Sequence, residues 1–288
     1  MANPDELRQK YFTFIAPSYS HLTGNTTRDN FASVLSQRDL NITSASVVHD
    51  NAAGPGTATS ALIPWAESRG LSPKIVVTDY IPGMIQAFEK LKSSHTDSKL
   101  WQSTEGKVVN SLDLSEFPDG HFTHTIDNFS VSTFGNKEQQ EQGLREVYRT
   151  LGEGGLAVFL TWKRFPVAEF IEQAQAEIKG EEWAGEHRVP VNGAEFFQEG
   201  YLAKLAVQAG WNKDNVQTTT TSSLLKEGED EEGLFKFLQS SPPAMLAKRG
   251  LTEEESAKWP EAIKHAIQKE KESHGGILTE SWVVLAKK

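Results

Sequence analysis

Val47-Val48-His49-Asp50-Asn51-Ala52-Ala53-Gly54-Pro55-Gly56-Thr57 is the stretch on which the fold turns. A short β-branched run, Ala45-Ser-Val-Val-His, ends at an acid, Asp50. Two glycines follow, and a helical stretch then runs from Thr57 to Arg69 and stops at Gly70. Strand, glycine turn and helix in that order form the start of a βαβ unit. Glycine lets a ligand approach backbone closely, and the following helix start presents unpaired N–H groups. Pro64 inside the helical stretch is expected to kink or divide it.

Outward from this stretch the pattern repeats. Ile75-Val-Val-Thr is a buried-strand candidate ending at Asp79, and Pro82 suits the first turn of a helix whose apolar face is Met84, Phe88 and Leu91. Val108-Val109 reads as the start of a third strand, and His124-Thr-Ile126 as a fourth, ending near Asp127 and Asn128. Leu144, Val147, Tyr148 and Leu151 mark a helix face, and Gly155 to Trp162 is a fifth strand. Asn192 with Glu195 reads as the capping start of a helix through Tyr201, Leu202 and Leu205 to Gly210. Val216-Gln-Thr-Thr-Thr-Thr is a sixth strand candidate. Residues 224–275 read as helices with acidic breaks, Glu227 to Glu232 as a solvated loop, and Trp282-Val-Val-Leu-Ala as a last strand. Alternation of this kind implies an α/β fold, with a mostly parallel sheet and helices on both faces. Such sheets bind ligands outside the carboxyl ends of their strands, so the residues at those ends are the ones to weigh.

Composition narrows the classes. Net charge is −10, and no basic patch offsets it: Lys264, Lys269 and Lys271 are interleaved with Glu270 and Glu272. That disfavours a nucleic-acid partner. Cysteine is absent, which removes disulfides, zinc thiolates and a cysteine nucleophile. No His-Glu-x-x-His or calcium-loop pattern suggests a metal. Met1 to Lys10 lacks the apolar core of a signal peptide, and no apolar run is long enough for a membrane helix. The expectation is a soluble cytoplasmic protein with no membrane partner.

A dinucleotide site wants G-x-G-x-x-G, but Ala52 and Thr57 occupy the first and third glycine positions, and no Tyr-x-x-x-Lys pair is recognisable. An acid directly before the loop would repel a pyrophosphate, whereas it suits a ligand carrying an ammonium group. Asp50-Asn-Ala-Ala-Gly-Pro-Gly resembles the D-x-G-x-G-x-G motif of class I S-adenosylmethionine-dependent methyltransferases. Asn110-Ser-Leu-Asp113, then Phe117-Pro-Asp-Gly-His-Phe122, resembles their adenine-holding segment. Gly152-Glu-Gly-Gly155 resembles the turn before their fifth strand. The likeness covers roughly residues 45–165 and extends to the last strand. Within the family, the opening segment and loop are most similar to fungal secondary-metabolite methyltransferases of the gliotoxin S-methyltransferase type.

The resemblance implies a Rossmann-like seven-stranded sheet in one domain over 1–288. An N-terminal helical cap would span 1–44, the cofactor core 45–165, acceptor-side helices and a strand 166–275, and the last strand 276–288. It implies S-adenosylmethionine as cofactor and methyl transfer to oxygen or sulfur of a small molecule. The alternative is a methyltransferase-fold protein that binds the cofactor but acts as a cyclase or regulatory partner.

The resemblance also assigns residues. Asp50 would meet the cofactor's amino group or stabilise the loop. Gly54 and Gly56, with Ala52 in place of the first glycine, would give close approach or a plain helix-start turn. Asp79, followed by Tyr80, would hold the ribose or cap a helix. Met84 would meet the adenine edge or be core. Ser111 and Leu112 stand where many relatives have Asp-Ala, leaving Asp113 as the candidate for the adenine amino group. Asn128 and Phe129 would line the cofactor or acceptor site, and Tyr19 would close over the cofactor. Trp162, Phe165, Trp183, Phe196 and Phe197 are acceptor-wall candidates, although with seven Trp and fifteen Phe some rings must be core. A phenol or alcohol acceptor would profit from a general base, for which His21, His49, His121, His124 and His187 are the candidates.

Overall fold

The structure is a computed structural model that describes residues 25–190, 193–225 and 228–288. Tyr19 and His21 lie outside the described residues, as do Asn192 and Glu227. Helix α1 (Thr26–Gln37) leads into β1 (Val47–Asn51). Then come α2 (Thr57–Glu67), β2 (Lys74–Asp79), α3 (Pro82–Ser93), α4 (Lys99–Ser103) and β3 (Glu105–Val108). Strand β4 (Phe122–Asn128), α5 (Lys137–Thr150) and β5 (Leu151–Arg164) complete the central part. Helices α6 (Val167–Lys179), α7 (Glu181–Glu186) and α8 (Tyr201–Ala209) precede β6 (Val216–Leu225). Helices α9 (Glu229–Ser240), α10 (Pro242–Ala247), α11 (Glu253–Ala257) and α12 (Trp259–His274) separate it from β7 (Ile277–Lys287).

The sheet has seven strands in the order β3-β2-β1-β4-β5-β7-β6. Pairing is parallel from β3 through β5, and β7 runs antiparallel to both β5 and β6. The α/β reading with a mostly parallel sheet holds. Alternation along each strand sorts the core into two layers. Val158, Leu160 and Val283 join Phe31, Leu62, Ile63 and Phe88 under α1, α2 and α3. Ala157, Phe159, Val284 and Ala286 join Leu144, Val147, Leu202 and Leu205 under α5 and α8. A third apolar cluster ties α6, α9, α10 and α12 to Leu225 and Ile277. Those two residues end β6 and begin β7, so this helical layer lies at the carboxyl end of the parallel strands.

Local signals explain most boundaries, and five expectations change. Pro82 occupies the first turn of α3, and Asn136 with Gln139 forms a capping box on α5. Pro64 does not divide α2, which runs through it to Glu67. Val108 ends β3 rather than beginning it. Strand β5 starts at Leu151, not Gly155: Gly154 has φ +74, and the register with β4 shifts between Phe122 and His124, so the glycine turn is a bulge inside the strand. The helix expected to run to Gly210 starts later than position 192. A 3₁₀ turn at Ala194–Phe197 comes first, and α8 starts after Gly200 with no side-chain cap. The acidic stretch is not a loop throughout, since α9 begins at Glu229. Among the described residues no helix is long and apolar enough to cross a membrane.

One ion pair fastens the helical layer to the sheet. Arg164, the last residue of β5, donates to both oxygens of Glu270 on α12 at 2.7 and 2.9 Å and to the carbonyl of Leu278 at 3.0 Å. Glu270 is buried and also accepts the Leu278 amide at 3.1 Å. Burial acts to raise its carboxyl pKa, but the Arg164 guanidinium wins and holds it below the ordinary value. Arg164 also pairs with Glu169, which is more exposed, so removing Glu270 takes away the buried carboxylate and leaves the guanidinium only that outer partner. Glu270→Ala is therefore expected to cost about 1–3 kcal/mol in chemical denaturation, against under about 0.5 kcal/mol for Lys258→Ala, whose pair with Glu254 is exposed.

Candidate functional site

Three carboxylates meet at the carboxyl ends of the central strands. Asp50 is in β1, Asp79 ends β2, and Asp127 is next to last in β4. Parallel pairing sets β1 between β2 and β4, with Asp50 opposite Val77 and Ile126. Asp50 and Asp127 are fully buried and Asp79 is 6% exposed. No cation is bonded to any of them among the described residues. Burial therefore raises all three pKa values: Asp50 to about 7, and Asp79 and Asp127 to about 6. For Asp50, repulsion from Asp127 and Asp79 adds to the rise.

Hydrogen bonds fix each one. Asp50 Oδ2 accepts from the Thr59 amide at 2.9 Å and the Thr59 hydroxyl at 2.6 Å, which pins the first turn of α2. Its Oδ1 is buried with no partner among the described residues. The bonds of Asp50 are thus those of a loop-stabilising acid, with one oxygen left over. Asp79 Oδ2 accepts from the Gly54 amide at 2.8 Å and Oδ1 from the Ile81 amide at 2.8 Å, so it joins the glycine loop to the start of α3. Asp127 Oδ1 accepts from the Ser130 hydroxyl and from the Ser130 and Val131 amides, while Oδ2 accepts from Asn51 Nδ2 at 3.0 Å. Asn51 Oδ1 in turn accepts from Ser111 Oγ at 2.9 Å.

This chain, Ser111 to Asn51 to Asp127, links the segments after β3, β1 and β4. Asn51 and Asp127 carry it and were not among the sequence candidates. The available signal was a polar residue at each strand end, which a strand otherwise apolar has no reason to place there.

The two motif glycines part company. A Cβ added at Gly54 (φ +58) would meet only the Met84 sulfur, at 4.0 Å, so that face of the loop is open. At Gly56 (φ +86) it would stand 2.6 Å from the ring of Phe88, a fully buried core residue. Packing against Phe88 by itself therefore requires glycine at position 56. Ala52 has φ +48, the left-handed region that costs an L-residue about 1 kcal/mol, and it packs against the cluster of Val131 and Phe134. Met84 is buried beside Gly54, and Tyr80 is half-buried at the end of β2. Leu112 is half-buried, whereas Asp113 is exposed and accepts from the Ser115 amide at 3.1 Å.

The aromatic candidates also separate. Phe129, with φ +67 and its amide donating to Leu160 O, packs against Trp162 at a tilt of 32° with centroids 4.0 Å apart. Trp162 stacks on Phe165 at 4.5 Å, so these three half-buried rings form one row above β4 and β5. Asn128, beside them, donates to the Thr27 carbonyl at 3.2 Å. Phe196 is buried in the core under α8 and is not a wall. Trp183 stacks on His187 in α7, outside this row, and Phe197 is half-buried with its carbonyl accepting from Trp282 Nε1 at 2.9 Å.

The histidines lie elsewhere too. His49 is fully buried, stacked on Phe122 at 4.4 Å and bonded to Thr78 Oγ1 at 2.8 Å, and burial pushes its pKa down to about 3. His124 bonds the Leu40 carbonyl at 2.8 Å and is likewise lowered by burial. His121 stacks on Phe117. None of the four described candidates bonds to the carboxylate cluster. No grouping of three or more His and acidic side chains suited to a metal occurs among the described residues.

The comparisons agree with this architecture. A fungal methyltransferase, ucsB of an Acremonium species, is 32% identical over 133 residues, a span of 43% of this chain and 43% of that relative. The match thus covers under half of the relative's length. The YcgJ protein from Bacillus subtilis superposes with a TM-score of 0.51 at 12% identity, over 90% of this chain and 98% of that one. A candidate methyltransferase from Bacillus halodurans C-125 gives 0.51 at 15% identity, over 90% and 99%. No protein-family model matches the chain. The fold is that of the class I methyltransferases, as the motifs implied.

Two outcomes follow from this geometry. Gly56→Ala is expected to cost about 2–4 kcal/mol by denaturation, through clash with Phe88 and left-handed strain, whereas Gly54→Ala costs about 1 kcal/mol. The raised carboxyls also give a pH signature. Between the ordinary value of 3.8 and about 7, the folded chain keeps protons that the unfolded chain has lost, so the cluster's contribution to stability falls as pH rises through that window and levels off above it. Melting temperature followed from pH 4 to 8 is expected to show this decline, and Asp127→Asn to flatten it.

Proposed function

We propose that this chain is an S-adenosylmethionine-dependent methyltransferase acting on oxygen or sulfur of a small-molecule acceptor. The observation that carries the reading is the cluster of Asp50, Asp79 and Asp127, buried with no counter-cation among the described residues. Uncompensated buried carboxylates are costly unless a cation completes the site. S-adenosylmethionine brings two positive groups, the sulfonium and the ammonium. A nicotinamide dinucleotide brings a pyrophosphate, which this cluster repels.

The residues present fit that cofactor. Gly54 leaves an open face on the loop, Asp79 at the end of β2 has lone pairs left for ribose hydroxyls, and Asp50 Oδ1 is an acceptor without a partner among the described residues. When bound, the cofactor supplies a methyl group activated by the sulfonium. The protein's part is alignment and exclusion of water. The row Phe129, Trp162 and Phe165 gives a planar acceptor a rigid apolar surface, and holding two reactants in line provides much of the acceleration in a displacement. A ring face also favours a nearby cation.

Because no described histidine reaches the cluster, the arrangement favours an acceptor that ionises unaided, such as a thiol or an acidic phenol. The fungal relative supports a methyltransferase activity, and the acidic chain supports a small molecule over a nucleic acid. An intracellular, cytoplasmic setting belongs to the same proposal.

Calorimetric titration with S-adenosylmethionine, S-adenosylhomocysteine and NADPH tests it. Micromolar binding of the first two, none of NADPH, and loss of about hundredfold in affinity for Asp79→Ala are expected. Binding should weaken as pH drops below about 6, where the cluster takes up protons. No binding of either sulfur compound would sink the reading.

A further inference from the structure

A row of buried polar side chains lies beneath α1, beside the aromatic row, and the cofactor reading makes no use of it. Register locates it. Trp162 of β5 pairs with Ser281 of β7, Ser281 with Thr221 of β6, and Thr279 with Ser223. Cross-strand partners point to one face of a sheet. Helix α1 covers that face. Asn30 Nδ2 donates to Ser223 Oγ at 2.8 Å and to Thr279 Oγ1 at 3.2 Å, and Asn128 Nδ2 donates to the Thr27 carbonyl at 3.2 Å.

Asn30 and Ser281 are fully buried, and Thr27 and Thr221 nearly so. Yet among the described residues Thr27 Oγ1, Asn30 Oδ1, Asn128 Oδ1, Thr221 Oγ1 and Ser281 Oγ have no hydrogen-bond partner. An isolated orphan of this kind is a local defect. Five on adjacent positions of one helix and three strands mark a place built for something to bond. Two of the five are carboxamide oxygens, which only accept, and the other three are hydroxyls, which do both. The complement must therefore bring N–H or O–H donors. Trp162 shares this face by register, so a ring packed against the edge of the aromatic row has the polar row beside it.

We propose that this row is an acceptor subsite that reads N–H or O–H donors carried on an aromatic molecule, with Asn128 as the specificity-determining residue and Asn30 behind it. This rests on the methyltransferase reading, since it presumes an acceptor. It adds the acceptor's class: an aromatic amide or polyphenol rather than an apolar arene. The rival occupant is ordered water, which also satisfies buried polar atoms.

Matched fragments separate the two. Binding of benzamide against methyl benzoate, and of catechol against veratrole, is measured by ligand-observed NMR on protein with and without S-adenosylhomocysteine. Each second member keeps the ring and loses the donor. Wild type is expected to prefer benzamide and catechol by about tenfold, because an acceptor atom left unpaired in a buried site penalises the wrong ligand. Asn128→Leu is expected to abolish the preference. Thr27→Val and Ser281→Ala, which delete only orphaned hydroxyls and keep the fold if Asn128→Leu does not, are expected to reduce it. Equal binding within both pairs, no binding of any fragment at millimolar concentration, or a preference unchanged in all three variants overturns the proposal and leaves water as the occupant. S-adenosylhomocysteine binding read on the same samples reports the cofactor assignment separately: its failure sinks that reading, whereas its success with no discrimination between fragments sinks only this one.

Discussion

Carboxylates held out of water, with no counter-charge among the described residues, are the constraint around which the carboxyl end of this sheet is arranged. Each of Asp50, Asp79 and Asp127 is kept in place by backbone amides and hydroxyls rather than by a cation. Those bonds do structural work of their own. Through Asp50 the first turn of α2 is fixed to β1, through Asp79 the glycine loop is fixed to the start of α3, and through Asp127 the turn after β4 is fixed to Asn51. Removing the charges would remove the fastenings of three loops at once. The same groups stabilise the loops and leave a negative, low-dielectric site, and ionising them costs the folded chain stability unless a cation arrives.

Backbone strain collects beside this cluster. Ala52 and Phe129 are two of three non-glycine residues at positive φ among the described residues, and each sits directly past a strand end. At Ala52 the side chain packs against the apolar cluster that includes Val131 and Phe134, while the backbone takes a positive φ that glycine adopts freely. At Phe129 the contact with Trp162 and the bond from its amide to Leu160 hold a conformation that a bulky side chain disfavours. The result is an aromatic row fixed on rigid strands, close to the loops that the carboxylates organise. The helical layer is joined to β5 through Arg164 and Glu270, so the end of that strand is clamped to it.

The sequence carried the acids, the glycines and the aromatic residues but not their division of labour. Gly54 and Gly56 look equivalent in the motif, and only the approach of Phe88, distant in sequence, makes Gly56 a packing residue. Trp162 and Trp183 look equally suited to a wall. Trp162 meets Phe129 because β4 and β5 pair side by side, while Trp183 is carried away on α7 and stacks on His187. Asn30 gave no signal at all, since a polar residue on an amphipathic helix is ordinarily read as solvent-facing. The packing of α1 across to β6 buries it instead.

What the sequence determined by itself is the set of local choices: where strands and helices alternate, where glycine opens a turn, and that an acid stands at the end of each of three strands. Those depend on side-chain periodicity and φ preferences, which neighbours along the chain decide. What only the tertiary structure decided is which groups are withdrawn from water. Burial of Asp127, neutrality of His49 and the orphaned oxygens beneath α1 all arise from contacts between residues far apart in the chain. Desolvation depends on what surrounds a group in space, and no pattern of nearest neighbours encodes that.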